Sequence, residues 1–165
     1  RAVPQPFVEG RNRMKPVCMV IGAGAGIGGN VGKRFAREGY HAVLCRRSDE
    51  QGLRALVEEI EAEGGSASGY LLDAVKPDTI ESRVEAVEKE LGPIEVAIFN
   101  LGAQIGDRAL ADTSYKAFEL GWRLATFGLF RLFQTFQKKT NVEAPSRNAP
   151  AEEIWFPIVK PSLGR

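Results

Sequence analysis

The sequence is poor in cysteine and histidine, with two cysteines, Cys18 and Cys45, and one histidine, His41, in 165 residues. With no Cys-x-x-Cys pair and no second histidine, a structural zinc site or a disulfide framework is excluded as an expectation, and no metal ligands are assigned. Sparse thiols also point to an intracellular setting, with the cytoplasm as the default. An excess of charge of one sign is lacking too: 22 Lys plus Arg face 21 Asp plus Glu, for a net charge of +1. That balance gives neither the basic footprint of a nucleic-acid partner nor an acidic tail. No apolar run approaches the roughly 18 residues that span a bilayer, so no membrane partner is expected. A chain of this size buries about 70% of its unfolded surface, enough for one sizeable core.

The chain opens on Arg1, and Met14 stands three residues before the first strand-like run. Residues 1–14 read as an N-terminal extension. They carry Arg1, Arg11, Arg13, Glu9 and two prolines without an apolar core, so no secretory signal is expected; a clipped organellar transit peptide is the alternative to a cytoplasmic chain.

From Val17 the pattern is regular. Val17 to Ile21 is a short apolar run, and five glycines follow between Gly22 and Gly29, ahead of Ile27, Val31 and Phe35 at helical spacing. This reads as strand, glycine turn, helix. Gly39 closes that helix, His41 to Cys45 makes a second strand, and Ser48-Asp49-Glu50-Gln51 has the side chains of a capping box. Leu53, Leu56, Val57 and Ile60 then share one helical face, and Gly64-Gly65 stop it. Ala67 to Leu72 gives a third strand, and Pro77 suits the first turn of a helix striped by Ile80, Val84, Val87 and Leu91. Ile94 to Phe99 is the fourth strand. A longer helix, opened by Asp112 or Thr113, carries Tyr115, Phe118, Trp122, Ala125, Leu129 and Phe133. Strands alternating with helices predict a doubly wound α/β fold on a parallel sheet. A domain over residues 15–136, incomplete after the fourth or fifth strand, is expected. Residues 137–165 read as an irregular tail, in which Glu153 to Val159 makes a fifth strand only if Pro157 is tolerated at an edge.

A pyrophosphate needs backbone N–H groups, no obstructing side chains and the positive end of a helix dipole. Gly22, Gly24, Gly26 and Gly28 ahead of Val31 supply all three. Two registers overlap: Gly24 to Gly29 fits G-x-G-x-x-G, while Gly22, Gly26 and Gly28 fit G-x-x-x-G-x-G. Together with Asp73-Ala74 after the third strand and Asn100-Leu101-Gly102-Ala103 after the fourth, this turn resembles the short-chain dehydrogenase/reductase family over roughly residues 15–133. The resemblance implies a Rossmann-like cofactor-binding domain of oxidoreductase descent. It implies that Gly22, Gly26, Ile27 and Gly28 line the pyrophosphate and nicotinamide side. Asp73 and Ala74 would contact adenine, and Asn100, Gly102 and Ala103 would flank the adenosine ribose and support the central strand. The plainer alternatives are that Asp73 caps the next helix and that Asn100 only shapes a turn.

An NAD site usually places an acid at the end of the second strand, on the ribose 2′-hydroxyl. Here that strand ends in Leu44-Cys45-Arg46-Arg47. Arg46 or Arg47 can make charge-assisted hydrogen bonds to a 2′-phosphate, so NADP is predicted over NAD; the alternative is that both are solvated loop residues.

The family resembled uses a Tyr-x-x-x-Lys pair, neighbours on one helical face. Tyr40, Tyr70 and Tyr115 are followed four positions on by Leu44, Ala74 and Glu119, so no such pair exists. Ala125 stands where the family places an Asn, and Ser162 has no secure match to the family's Ser. No catalytic residue is therefore assigned. Three expectations follow: an NADP(H)-binding protein that is catalytically deficient in this form; a fragment, splice form or frame-shifted product of an active NADP-dependent carbonyl or alcohol oxidoreductase; or a non-enzymatic interaction protein. The last would use the helix around residues 113–136, with Phe118, Trp122, Phe127, Phe130 and Phe133, as a homo-oligomer face, against ordinary core packing of those rings.

Overall fold

The computed structural model describes residues 15–102 and 109–140. Four strands, β1 (Val17–Ile21), β2 (His41–Arg46), β3 (Ser66–Leu71) and β4 (Ile94–Phe99), form one parallel sheet in the order β3-β2-β1-β4. The chain starts in the middle of the sheet, winds outward through β2 and β3, and returns to lay β4 on the other side of β1. The α/β doubly wound, Rossmann-like architecture expected from the alternation is the one observed, and it puts a topological switch point between β1 and β4. The expected extension 1–14, Ala103, the strand over 153–159 and Ser162 lie outside the described residues.

The two faces of the sheet follow from the period of two in β1. Val17, Met19 and Ile21 point to one side, where Val43, Cys45, Ile80, Val84, Val87 and Leu132 complete a core. Cys18 and Val20 point to the other, against Ala42, Leu44, Leu53, Leu56, Ile60 and Ala67. Helices α1 (Ile27–Arg37) and α2 (Glu50–Ala62) thus cover one face. The other is covered by α3 (Thr79–Leu91) and by α5 (Gly128–Thr140), which continues from α4 (Tyr115–Trp122) through a π-helical turn, Arg123–Phe127. All five residues of β1 are buried, as a central strand between two helical layers requires.

Several local expectations shift. Of the stripe Ile27, Val31, Phe35, the last two pack partly buried against the core while Ile27 is 73% exposed, and the fully buried residues of α1 are Gly28, Gly29, Gly32 and Ala36. Small residues let this helix lie close to the sheet, where a Cβ on Gly32 would press on Leu44. The cap of α2 is Asp49, one residue later than the Ser48 box predicts; its Oδ1 accepts from Gly52 N at 2.9 Å, with Asp49 in the left-handed region at φ 62°. Pro77 stands outside α3, which starts at Thr79 after Asp78. Ser114 opens α4, rather than Asp112 or Thr113, its Oγ accepting from Ala117 N at 3.2 Å. A 3-10 turn at Leu110–Asp112 takes up Asp112, with Thr113 as its C-cap.

Candidate functional site

All four strands point their carboxyl ends at one cleft of about 340 Å³, lined by Gly22 and Gly24 after β1, Arg46, Arg47 and Ser48 at the end of β2, Leu72, Asp73 and Ala74 after β3, and Asn100, Leu101 and Gly102 after β4. Leu124, from the π-helical turn, closes one side. Open α/β sheets place ligands in this position, because backbone groups that leave the strands there have no neighbouring strand to bond.

The glycine turn is held from both flanking strands. Gly22 N and Ala23 N donate to Cys45 O at 2.8 and 2.9 Å, and Asn100 N donates to Ile21 O at 2.8 Å. Gly22 has φ +99°, and a Cβ there would run into the Asn100 carbonyl. Gly28 does not line the cleft: it is buried, and a Cβ on it would collide with the Gly22 carbonyl, so its role is to bring α1 against the turn. Gly26 is the cap residue of α1 and offers no side-chain hydrogen bond, and a Cβ on Gly24 or Gly26 would meet nothing within 4 Å. Open space therefore lies beside Gly24 and Gly26 at the positive end of the α1 dipole, a place that fits a dinucleotide's pyrophosphate. Ile27 is exposed at the same helix end and is not among the residues lining the cleft.

Opposite the turn stand two guanidinium groups in different states. Arg46, with 19% of its side chain exposed, pairs with Asp49 at 3.1 Å and also borders a second hollow beside Ala25, Asn30 and Lys33. Arg47 is exposed, and among the described residues no carboxylate pairs with it. Asp73 is not the cap of α3. Its Oδ1 accepts from Val75 N at 3.2 Å, and the residue lines the cleft. Asn100 does more than shape a turn, since its Nδ2 donates to Gly22 O at 3.2 Å.

Among the described residues, the ionisable side chains lining the cleft are Arg46, Arg47 and Asp73. None of the three tyrosines reaches it: Tyr40 packs edge-on against Phe35, Tyr70 lies under the Arg83 guanidinium at 4.0 Å, and Tyr115 is 96% exposed. The two cysteines are buried on opposite faces of the sheet, and burial pushes each thiol up to about 12, which makes them core residues rather than nucleophiles. Among the described residues no cluster of His, Cys, Asp and Glu could hold a metal ion. No helix there is long and apolar enough to cross a membrane. Ser48, Leu72, Leu101 and Leu124 line the cleft without having been singled out by the motifs. Ser48 directly follows the arginines and was legible as their neighbour; Leu124 carries no local signal.

Residues 16–144 match the family described as short chain dehydrogenase. Among curated proteins, gluconate 5-dehydrogenase of Gluconobacter oxydans is 38% identical over 86 residues, covering 52% of this chain and 33% of that protein. Among solved structures, an actinorhodin polyketide ketoreductase variant with NADPH superposes with a TM-score of 0.69 at 31% identity, covering 75% of this chain and 47% of that one. A metagenomic short-chain oxidoreductase in complex with NADP gives a TM-score of 0.70 at 26% identity, over 74% of this chain and 55% of that one. The chain spans about a third of the length of the curated ketoacyl reductases, hydroxysteroid dehydrogenase and gluconate dehydrogenase it matches.

Proposed function

The chain belongs to the short-chain dehydrogenase family, and on that premise we propose that it binds NADP(H), in preference to NAD(H), in the cleft at the carboxyl ends of its strands. The observation that carries this reading is the presence of Arg46, Arg47 and Ser48 on the same cleft as Gly22, Gly24, Asp73, Ala74 and Asn100. The α1 amides receive the pyrophosphate. Arg47, whose charge no carboxylate offsets among the described residues, bonds the 2′-phosphate, and Arg46 is held beside it by Asp49. Asp73 and Ala74 wall the adenosine, and Asn100 keeps the turn in shape. The NADPH and NADP carried by two structural neighbours support this reading. The bound cofactor would supply or accept a hydride.

We further propose that the 165 residues do not reduce a carbonyl on their own. No Tyr-x-x-x-Lys pair occurs to donate the proton, and among the described residues the ionisable side chains lining the cleft are two arginines and one aspartate. Loss of a general acid removes about 10² to 10⁴ in rate. Titration with NADPH and NADH, followed by heat or nucleotide fluorescence, tests the site. Tighter binding of NADPH without turnover of carbonyl compounds is the expected result; equal binding overturns the cofactor preference, and turnover overturns the deficiency.

A second property of the same chain is favoured by the exposure of Tyr115, Phe118, Trp122, Phe127 and Phe130. Trp122 and Phe127 stack at 5.2 Å, and Phe127 and Phe130 at 6.2 Å, so these three rings form one exposed cluster, with Tyr115 and Phe118 exposed on the helix before it. We propose that this cluster pairs copies of the chain. Sedimentation at rising concentration tests it, and a monomer throughout overturns it.

A further inference from the structure

Arg131, in the second turn of α5, is 7% exposed, and its guanidinium is turned toward the connection between β3 and α3. Nε and Nη2 donate to the two carboxylate oxygens of Glu81 at 2.8 and 2.5 Å. Nη1 donates to Ala74 O at 2.9 Å and to Lys76 O at 3.0 Å. From the other side, Thr79 Oγ1 lies 2.8 Å from Asp73 O and 3.0 Å from Lys76 O. One guanidinium and one hydroxyl therefore hold the carbonyls of residues 73, 74 and 76.

Burying an ion pair is an inefficient way to stabilise a core, since well-packed apolar side chains of the same volume do as well or better. A guanidinium supplies direction instead: its planar fork fixes several acceptors in one relative geometry. The acceptors fixed here belong to Asp73 and Ala74 and their neighbours, which form the β3 wall of the nucleotide cleft, while Arg131 itself does not line that cleft. This wall adjoins the end of β2, because Leu72 N donates to Arg46 O at 2.9 Å. It therefore faces the phosphorylated adenosine end of a ligand whose 2′-phosphate sits on Arg46 and Arg47.

We propose that Arg131 is a positioning residue for the nucleotide site, holding the Asp73–Ala74 wall through Ala74 O and Lys76 O and so setting affinity for the adenosine half of the ligand. The inference rests on the dinucleotide reading above. The helix that carries the aromatic cluster thus reaches the cofactor cleft through Arg131 as well as through Leu124.

The test is calorimetric titration of adenosine 2′,5′-bisphosphate and NADPH into the full chain and three variants, alongside urea unfolding of each. Arg131→Lys keeps the charge but not the fork, and Thr79→Val removes the second tie with little change in volume. Ile60→Val truncates a core residue of α2 in the cluster on the opposite face of the sheet from Leu72 and Ala74, and serves as the control for mere destabilisation. The expected result is an increase of about tenfold in Kd for both ligands in Arg131→Lys and Thr79→Val, equivalent to about 1.4 kcal/mol. Ile60→Val should keep the wild-type Kd although its unfolding midpoint falls. Unchanged affinity in Thr79→Val and Arg131→Lys, or equal loss in Ile60→Val, overturns the inference. Failure of the unmodified chain to bind either ligand overturns the dinucleotide reading, and the inference with it.

Discussion

Asn100, the residue that follows β4, donates from Nδ2 to the carbonyl of Gly22, 78 positions earlier and just after β1, at 3.2 Å. The same carbonyl is what a Cβ on Gly28 would strike, and the Asn100 carbonyl is what a Cβ on Gly22 would strike. The switch point between β1 and β4 is thus locked by a side-chain amide and two glycines that leave it no slack.

Replacing Asn100 separates these contributions. Asn100→Ala removes one hydrogen bond and should lower stability by about 1 kcal/mol. Asn100→Asp sets a carboxylate against the Gly22 carbonyl, leaving both acceptors without a proton between them, and should cost about 1–3 kcal/mol more. Urea unfolding midpoints give the order; equal effects of Ala and Asp would mean the amide is not the donor.

Arg47 and Arg46 should differ. Arg47→Ala should weaken NADPH binding by about 1.5–3 kcal/mol, roughly ten- to a hundredfold, while leaving NADH binding nearly unchanged. Arg46→Ala should also release the Asp49 carboxylate beside the site, so its effect includes repulsion of the 2′-phosphate. Paired NADPH and NADH titrations of both variants read this directly, and loss of both nucleotides alike in Arg47→Ala would remove the residue from 2′-phosphate recognition.

The thiols report on the core. Cys18 and Cys45 are both fully buried, with ionisation pushed up to about 12 by loss of solvent. In native buffer both should resist a thiol-specific disulfide reagent for as long as the fold persists, and both should react promptly in denaturant. Rapid native reaction of either would place β1 or β2 outside a packed sheet.

Acid should weaken the fold in two windows. His41 lies between Ser66 Oγ at 2.7 Å and Ser68 Oγ at 3.0 Å, and burial, with Lys15 adding to it and Glu61 opposing, holds its ring below the ordinary value of 6.5. The unfolded chain then binds this proton first as pH falls. The contribution is fully present above 6.5 and is lost progressively toward the folded value. Glu81 is held below its ordinary 4.5 chiefly by its hydrogen bond from Arg131, so its contribution is present above 4.5 and lost on further acidification through its folded value. Urea midpoints between pH 7.5 and 5.5 should decline in the wild type and decline less in His41→Gln.

Much of the site was legible because motifs at strand ends are local. The strand limits of β1 and β4, the glycine turn, Asp73-Ala74 and Asn100 are all marked by short patterns, and the parallel sheet brings those ends together. What could not be read is which partner each polar group finds. Asp49 rather than Ser48 caps α2, Asp73 turns to Val75 N rather than capping α3, and Arg46 is tied to Asp49 while Arg47 is not. Each choice depends on a residue or two of phase at a helix start, which propensity does not resolve.

By itself the sequence determined the alternation of strands and helices, the two apolar faces of β1, and a glycine turn able to approach an anion, because these depend on side-chain periodicity and on backbone freedom over a few residues. Only the tertiary structure decided that the arginines after β2 and the loop after β3 share a cleft with that turn. It also decided that Arg131 is buried while Phe118, Phe127 and Phe130 on the same continuous helix face outward. The physical reason is that a helix's orientation about its own axis is set by everything packed against it. A guanidinium that meets a carboxylate and two backbone carbonyls can be taken inside, whereas Phe127 and Phe130, which border the hollow beside it, stay more than a third exposed.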